Sequence, residues 1–371
     1  MRKKLLALAA VGLLASATMT ACDDSNKSSN DASGGSGSGG GSGKARVGVI
    51  LPDTESSTRW KDVDAKYLKQ AFDAQGVPSE IQNAEGDKAN FVKIGTDMIN
   101  SGVKVLIIAN LDSDTGKAVL DKAKEKKIPT IDYDRLTLNG GADYYVSFDN
   151  EQVGVLQASG LINCLRSQNV SNPVIAELNG SPTDNNATLF KKGYDSLLDP
   201  LYDTAKFTKG PDQWVTDWNN DEGGRIFTQM ISQQPKIAGV LAANDGIAGA
   251  VIKVLRSKGM AGKVPVTGQD ATVEGLQAVL SGDQCLTIYK QLKPEADTAA
   301  RLAIDLYKGQ KPPVKSQIKD PESGAYVPAE LLSPVEIKKA DVKSVVSAGF
   351  VSKKDLCAGK YAALCTANDI K

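Results

Sequence analysis

The sequence has no histidine among its 371 residues. That absence removes Ser-His-Asp and Cys-His nucleophilic chemistry, and with it the imidazole ligands of most catalytic zinc sites. An excess of either charge is also missing, since Lys+Arg and Asp+Glu both number 44. Such a balance gives no basic footprint for nucleic acid. Long apolar runs are lacking too: the stretch from Leu5 to Ala15 is too short to span a bilayer, and nothing later is longer. There is no Cys-x-x-Cys pair, which argues against a zinc site. Aromatic residues make up only 5%, with three tryptophans, Trp60, Trp214 and Trp218, so the position of each carries weight.

What is present begins with Arg2, Lys3 and Lys4 before the apolar run, then Met19-Thr20-Ala21-Cys22. Basic, apolar and small residues in that order read as a signal peptide over residues 1–21. The segment resembles a bacterial lipoprotein signal, which implies that Cys22 is the lipidated first residue of the mature chain. An ordinary signal cleaved before an unmodified Cys22 is the alternative. Residues 22–43 are almost entirely Ser, Gly, Asn and Asp, which cannot bury apolar surface, so they read as a flexible tether. About 330 residues follow, enough for two lobes of ordinary domain size. Four further cysteines, Cys164, Cys285, Cys357 and Cys365, suit two disulfides in an exported protein. Three connectivities exist. The short Cys357–Cys365 spacing favours a small C-terminal loop, leaving Cys164 with Cys285.

One stretch organises the rest: Leu178-Asn179-Gly180-Ser181-Pro182-Thr183-Asp184-Asn185-Asn186-Ala187. An apolar strand pattern precedes it, and Phe190, Tyr194, Leu197 and Leu198 recur behind it at helical spacing. Gly180 and Pro182 make the turn, and Thr183 or Asp184 caps the helix. A carboxylate with two carboxamides at such a junction suits a ligand rich in hydroxyls, because Asp accepts while Asn donates and accepts. A well-capped helix start is the plainer reading of the same residues.

Strand and helix alternate from Lys44 onward, with strands expected at Arg46–Leu51, Ser79–Gln82, Val103–Ala109, Ile128–Tyr133 and Tyr144–Phe148. The alternation restarts near Val174, with later strands at Ile237–Ala242, Val264–Thr267 and Leu286–Tyr289. The fold class is therefore α/β, two doubly wound lobes with a polar cleft between them. In open α/β sheets ligands bind outside the carboxyl ends of the strands. The chemistry-bearing residues all fall at such junctions: Arg59-Trp60 and Asp134-Arg135 in the first lobe, then Asp184 to Asn186, Asp217-Trp218, Asn244-Asp245, Gln269-Asp270 and Lys290. Flat tryptophan faces can stack on the C–H face of a sugar ring while charged groups bind its edge. Asp217 to Asp221 looks briefly like a calcium loop, but Glu222 and Thr228 occupy its glycine and final-ligand positions. No metal or cofactor is implied.

Taken together, Arg59-Trp60, Tyr133-Asp134-Arg135, Ser147-Phe148-Asp149-Asn150-Glu151, Ser181-Pro182-x-Asp184-Asn185-Asn186, Asp212-Gln213-Trp214-Val215-x-x-Trp218, Asn244-Asp245, Gly268-Gln269-Asp270 and Tyr289-Lys290 resemble the D-xylose-binding periplasmic family. These monosaccharide-binding components of ABC importers have the type I periplasmic binding protein fold. The resemblance runs from about Lys44 to Ser352. It implies that Trp60 and Trp218 stack on the sugar, while Arg59, Asp134, Arg135, Asp184, Asn186, Asn244, Asp270 and Lys290 bind its hydroxyls and ring oxygen. It further implies a monomer that closes about a hinge and delivers a monosaccharide, xylose first and glucose or another aldopyranose second, to an ABC permease. The lobes would comprise residues 44–149 with 291–327 and residues 150–290 with 328–352. A tail, residues 353–371, falls outside the family pattern.

Two competing classes follow. A sugar sensor would present the bound monosaccharide to a membrane receptor. A glycoside hydrolase would use Asp184 and Asp270 as acid and base. Against the hydrolase, Arg135 and Lys290 are expected to keep both carboxylates ionised.

Overall fold

A computed structural model of the chain describes residues 45–371. The signal at 1–21, Cys22 and the tether at 22–43 lie outside those residues. The first lobe is built on β1 (Val47–Leu51), β2 (Ser79–Asn83), β3 (Val105–Ile108), β4 (Thr130–Tyr133) and β5 (Tyr144–Phe148). Between them run α1 (Thr58–Asp62), α2 (Asp64–Ala74), α3 (Lys88–Asn100) and α4 (Ser113–Glu125). Strands β1 to β5 pair in parallel, and every residue of β1, β3 and β4 is buried, as a sheet covered on both faces requires.

The second lobe repeats the pattern with α5 (Asn150–Ser167), β6 (Val174–Asn179), α6 (Asn185–Asp203), β7 (Thr208–Trp214), α7 (Asn220–Gln233), β8 (Ile237–Ala242), α8 (Asp245–Ser257), α9 (Val273–Ser281) and β9 (Thr287–Tyr289). Its parallel sheet has the order β7-β6-β8. The strand expected at Val264–Thr267 is reduced to a single parallel bridge, Val240 to Val266. Pro265 cannot donate to a ladder, which limits pairing there.

The chain then returns to the first lobe. Helix α10 (Leu292–Tyr307) buries Ala296, Ala299, Ala300 and Ala303 against Val47, Val105 and Ile131. Strands β10 (Ser316–Lys319) and β11 (Tyr326–Leu332) extend the sheet to the seven-stranded order β10-β11-β5-β4-β3-β1-β2. Strand β11 stays paired with β5 through Leu332, opposite Phe148. The third crossing therefore falls at Ser333-Pro334, not near residues 327–328 as expected, because the ladder holds residues 328–332 in the first lobe. Beyond it, β12 (Val335–Ile337) pairs antiparallel with β9 of the second lobe.

Short helices α11 (Val342–Ser347), α12 (Lys353–Leu356) and α13 (Ala362–Ala367) end the chain. Here the tail acquires a structural role: Leu356, Cys365 and Ile370 are buried against Leu276, Val279 and Leu280 of α9. Cys357 is bonded to Cys365, and Cys164 at the end of α5 to Cys285. Among the described residues no helix is long and apolar enough to cross a membrane.

Candidate ligand-binding site

The junctions between strands and helices face each other across the gap between the lobes. All ten expected residues, Arg59, Trp60, Asp134, Arg135, Asp184, Asn186, Trp218, Asn244, Asp270 and Lys290, line one narrow cavity. A wider cleft beside it shares Ser56, Arg135 and Trp218, but only two of the ten reach it. Convergence, not size, marks the narrow cavity as the candidate site.

Several of these side chains have two duties. Asp184 caps α6 by accepting from Asn186 N, while its Oδ2 accepts from Trp218 Nε1 at 3.1 Å and forms an ion pair with Arg135, whose Nε lies 3.2 Å away. Asn244 caps α8 through Ile247 N, and its Nδ2 reaches Ser56 O in the opposite lobe. The helix-cap and cavity-wall readings of these residues therefore both hold. Asp134, Trp218 and Asp270 sit at φ 61°, 56° and 99°. A non-glycine residue in this region costs of order 1–3 kcal/mol, and such strain collects at functional sites.

The two tryptophans come from opposite lobes, and each is held from behind. Trp60 meets Tyr133 edge-on at 6.5 Å, and Trp218 meets Phe190 edge-on at 6.4 Å. The Arg59 guanidinium lies 4.1 Å from the Trp60 ring centre and Arg135 lies 5.4 Å from it. These cation–π contacts fix the ring as a charged, flat wall. Trp214, by contrast, lies on β7 and does not line the cavity.

Beneath Trp60 lies a buried ionic network that the junction motifs do not announce. Arg59 donates to both oxygens of Asp64, to Asp134 at 2.6 Å and to Glu295 at 2.7 Å. Four of its five N–H groups are thereby used, leaving one Nη1–H for a ligand. Tyr133 Oη donates to Asp64 Oδ1 at 2.6 Å. Glu295 is fully buried on the inner face of α10. A glutamate at helical spacing among Leu292, Ala296 and Ala299 was the available signal, though it names no partner.

Burial opposes ionisation of Asp134, but Arg59, Lys290 and Arg135 outweigh it and hold its carboxyl well below the usual range. The same carboxylates overcome burial at Arg59 and raise its pKa. Burial dominates at Glu295, whose pKa is raised well above the ordinary value despite Arg59. At Asp184 burial raises the pKa, and Arg135 offsets this only in part. Its oxygens nevertheless accept from Asn186 N and Trp218 Nε1 with the Arg135 guanidinium beside them, so it is fixed as an acceptor.

Donors and acceptors line a narrow cavity that also carries the two indole rings. Such a wall satisfies hydroxyls, which both give and take hydrogen bonds. Residues 47–311 match the periplasmic binding protein domain family. The chain is 33% identical to the D-xylose-binding periplasmic protein of Escherichia coli over 84% of its own length and 93% of the relative's. The multiple sugar-binding periplasmic receptor ChvE of Rhizobium radiobacter is also 33% identical, with 84% and 92% covered. A solute-binding protein of an ABC transporter from Clostridium phytofermentans, solved with bound β-D-glucose, superposes with a TM-score of 0.77 at 27% identity, covering 84% of this chain and 99% of that one.

Proposed function

The chain belongs to the periplasmic binding protein family, sugar-binding components of ABC transporters that are not enzymes, and from that premise we propose that it captures a single aldopyranose, D-xylose first, by hinge closure. Hinge closure around ligand is the established motion of periplasmic binding proteins. The observation that carries the reading is the pairing of Trp60 from one lobe with Trp218 from the other on the walls of one narrow polar cavity. One lobe offers part of the contacts and closure adds the rest, so ligand shifts the population toward the closed form. Xylose stands first because two of the 33%-identical relatives are named for it, two others being named for multiple sugars, and glucose second because a structural neighbour was solved with it.

The family is extracytoplasmic. Within that setting we place this chain on the outer face of the cell membrane through a lipid on Cys22, delivering sugar to a permease. Mass spectrometry of the mature N-terminus tests the anchor; cleavage elsewhere, or an unmodified Cys22, overturns it. The sensor reading gains support from the relative named as a receptor. Copurification with the permease or with a membrane receptor separates the two. Calorimetric titration with xylose, glucose, galactose, arabinose, ribose, xylobiose and glucose 6-phosphate tests the ligand. Binding of xylobiose or the phosphate, with no response to any free monosaccharide, overturns the single-ring slot.

A further inference from the structure

Gln269 lines the binding cavity and is 3% exposed, yet it belongs to none of the ten expected contacts. Its Nε2 donates to Asp270 Oδ1 at 3.0 Å. An ionised carboxylate only accepts, so the amide nitrogen must face Asp270 and the amide oxygen must face away. That oxygen, Oε1, is buried and has no hydrogen-bond partner among the described residues. Other buried acceptors share this condition, including Asn150 Oδ1, Gln157 Oε1 and Gln284 Oε1, but none of those residues lines this cavity.

Asp270 itself is held from several sides. Ser57 of the opposite lobe donates to its Oδ2 at 3.0 Å, Lys290 Nζ lies 4.0 Å from its Oδ1, and its backbone is fixed at φ 99°. A carboxylate this constrained presents its remaining lone pairs in a set direction. The amide bonded to it places a second acceptor beside the first. Two adjacent acceptors match two donors on neighbouring ring carbons.

We propose that Gln269 is a ligand-contacting residue whose Oε1 accepts a hydroxyl adjacent to the one Asp270 accepts, so that the pair reads a vicinal diol. The proposal rests on the sugar-binding reading above and names what that site selects: a pyranose with two neighbouring free hydroxyls at this wall. An unpartnered buried acceptor is costly, and a ligand hydroxyl relieves that cost. The same pair rejects a sugar that lacks or methylates either hydroxyl, because an acceptor is then left buried and unmet.

The test measures affinities of the full-length protein and its Gln269→Met, Gln269→Glu and Asp270→Ala variants for xylose and its monodeoxy analogues. Gln269→Met keeps the shape, loses both polar atoms, and weakens xylose binding by about 10- to 100-fold. One monodeoxy analogue loses affinity against wild type and against Asp270→Ala, but its penalty vanishes in Gln269→Met. If every penalty erased in Gln269→Met is also erased in Asp270→Ala, Gln269 merely positions Asp270 and the proposal is overturned. Gln269→Glu sets two carboxylates together, so its affinity is poor at pH 7.5 and recovers at pH 5, where a shared proton replaces the lost donor. Affinity of that variant independent of pH overturns the bridging geometry. Wild-type protein that binds none of the unmodified aldopyranoses brings down the functional reading itself, a result distinct from either of these.

Discussion

Lys290 Nζ lies 3.1 Å from Asp134 Oδ2, two side chains that reach the cavity from opposite lobes and are both almost fully buried. Asp134 also receives Arg59, so one carboxylate oxygen joins the first lobe's ionic network to the end of β9. Removing one member of a buried pair leaves the other charge uncompensated and costs about 3–5 kcal/mol. Asp134→Ala is therefore expected to lower thermal stability markedly as well as to abolish sugar binding. Thermal denaturation with and without ligand measures both. A variant with unchanged melting temperature refutes the network's structural weight.

Arg135 and Asp270 line the cavity outside the Arg59–Asp64–Glu295 cluster. Arg135→Ala and Asp270→Ala are expected to fold and to weaken sugar binding by roughly 1.5–3 kcal/mol each, about 10- to 150-fold. Calorimetry checks this, and unchanged affinity in both variants removes them from the site.

Gly180 sets the position of a plate without touching ligand. A Cβ added there would lie 2.1 Å from Trp218 Cη2, with two further ring atoms within 2.5 Å. Real atoms cannot approach so closely, so the indole of Gly180→Ala must move or the turn must open. Overpacking of this kind costs about 1–3 kcal/mol in stability. Affinity is expected to fall at least as much as in Trp218→Ala, and tryptophan fluorescence to lose its response to sugar. Wild-type affinity in Gly180→Ala shows instead that the loop yields without moving the ring.

How far the site was legible follows from where its residues stand. Asp184, Asn186, Asn244 and Asp270 sit at strand-to-helix junctions, where turn residues and caps are visible in sequence and the carboxyl-end rule gives them a common direction. Asp64 and Glu295 lie inside helices and announce no turn. Their pairing with Arg59 spans sequence separations of 5 and 236 residues and depends on how α10 returns to the first lobe. The raised pKa of Asp184 was hidden for a related reason: sequence shows Arg135 nearby but not the depth of burial that outweighs it. The third crossing was misplaced because Tyr326-Val327-Pro328 reads as a break, whereas Pro328 pairs only with Gln317 of β10, before the ladder to β5 begins at Ala329, and a strand paired on one side tolerates proline.

The C-terminal tail offers a test of structure independent of binding. Cys357 and Cys365 close a loop of 8 residues in sequence separation, over helices that bury Leu356 and Ile370 on α9. A loop this short stabilises by only about 2–3 kcal/mol at most. Cys357→Ser with Cys365→Ser is expected to lower the melting temperature by several degrees at most while leaving sugar affinity within about threefold of wild type. Loss of binding in that double variant means the tail bears on the cavity.

The absence of histidine opens a pH window in which buried carboxyls can be read directly. Asp132 is fully buried on β4, where burial pushes its pKa to about 7 against two hydrogen bonds from Thr137. Asp245, behind Asp270 on α8, is likewise pushed by burial to about 7. In the unfolded chain both titrate near 3.9. A folded pKa above the unfolded one means the native state holds the proton more tightly, so this stabilisation is complete below about pH 4 and is lost as pH rises through about 7. Asp134 works in the opposite sense: its depressed pKa contributes stability above about pH 4 that is lost only in stronger acid, so it is silent in this window. The wild-type protein is therefore expected to be more stable at pH 5.5 than at pH 7.5, by about 1–2 kcal/mol for each of the two aspartates. Asp132→Asn keeps an acceptor for Thr137 N and cannot ionise, so it should remove the Asp132 share of that difference and leave the shares of Asp245 and Glu295, whose carboxyls burial also pushes up. Urea denaturation at the two pH values measures it. Stability that is flat or rises from pH 5.5 to 7.5, or a slope untouched by Asp132→Asn, shows that Asp132 ionises in the folded protein as freely as in the unfolded chain.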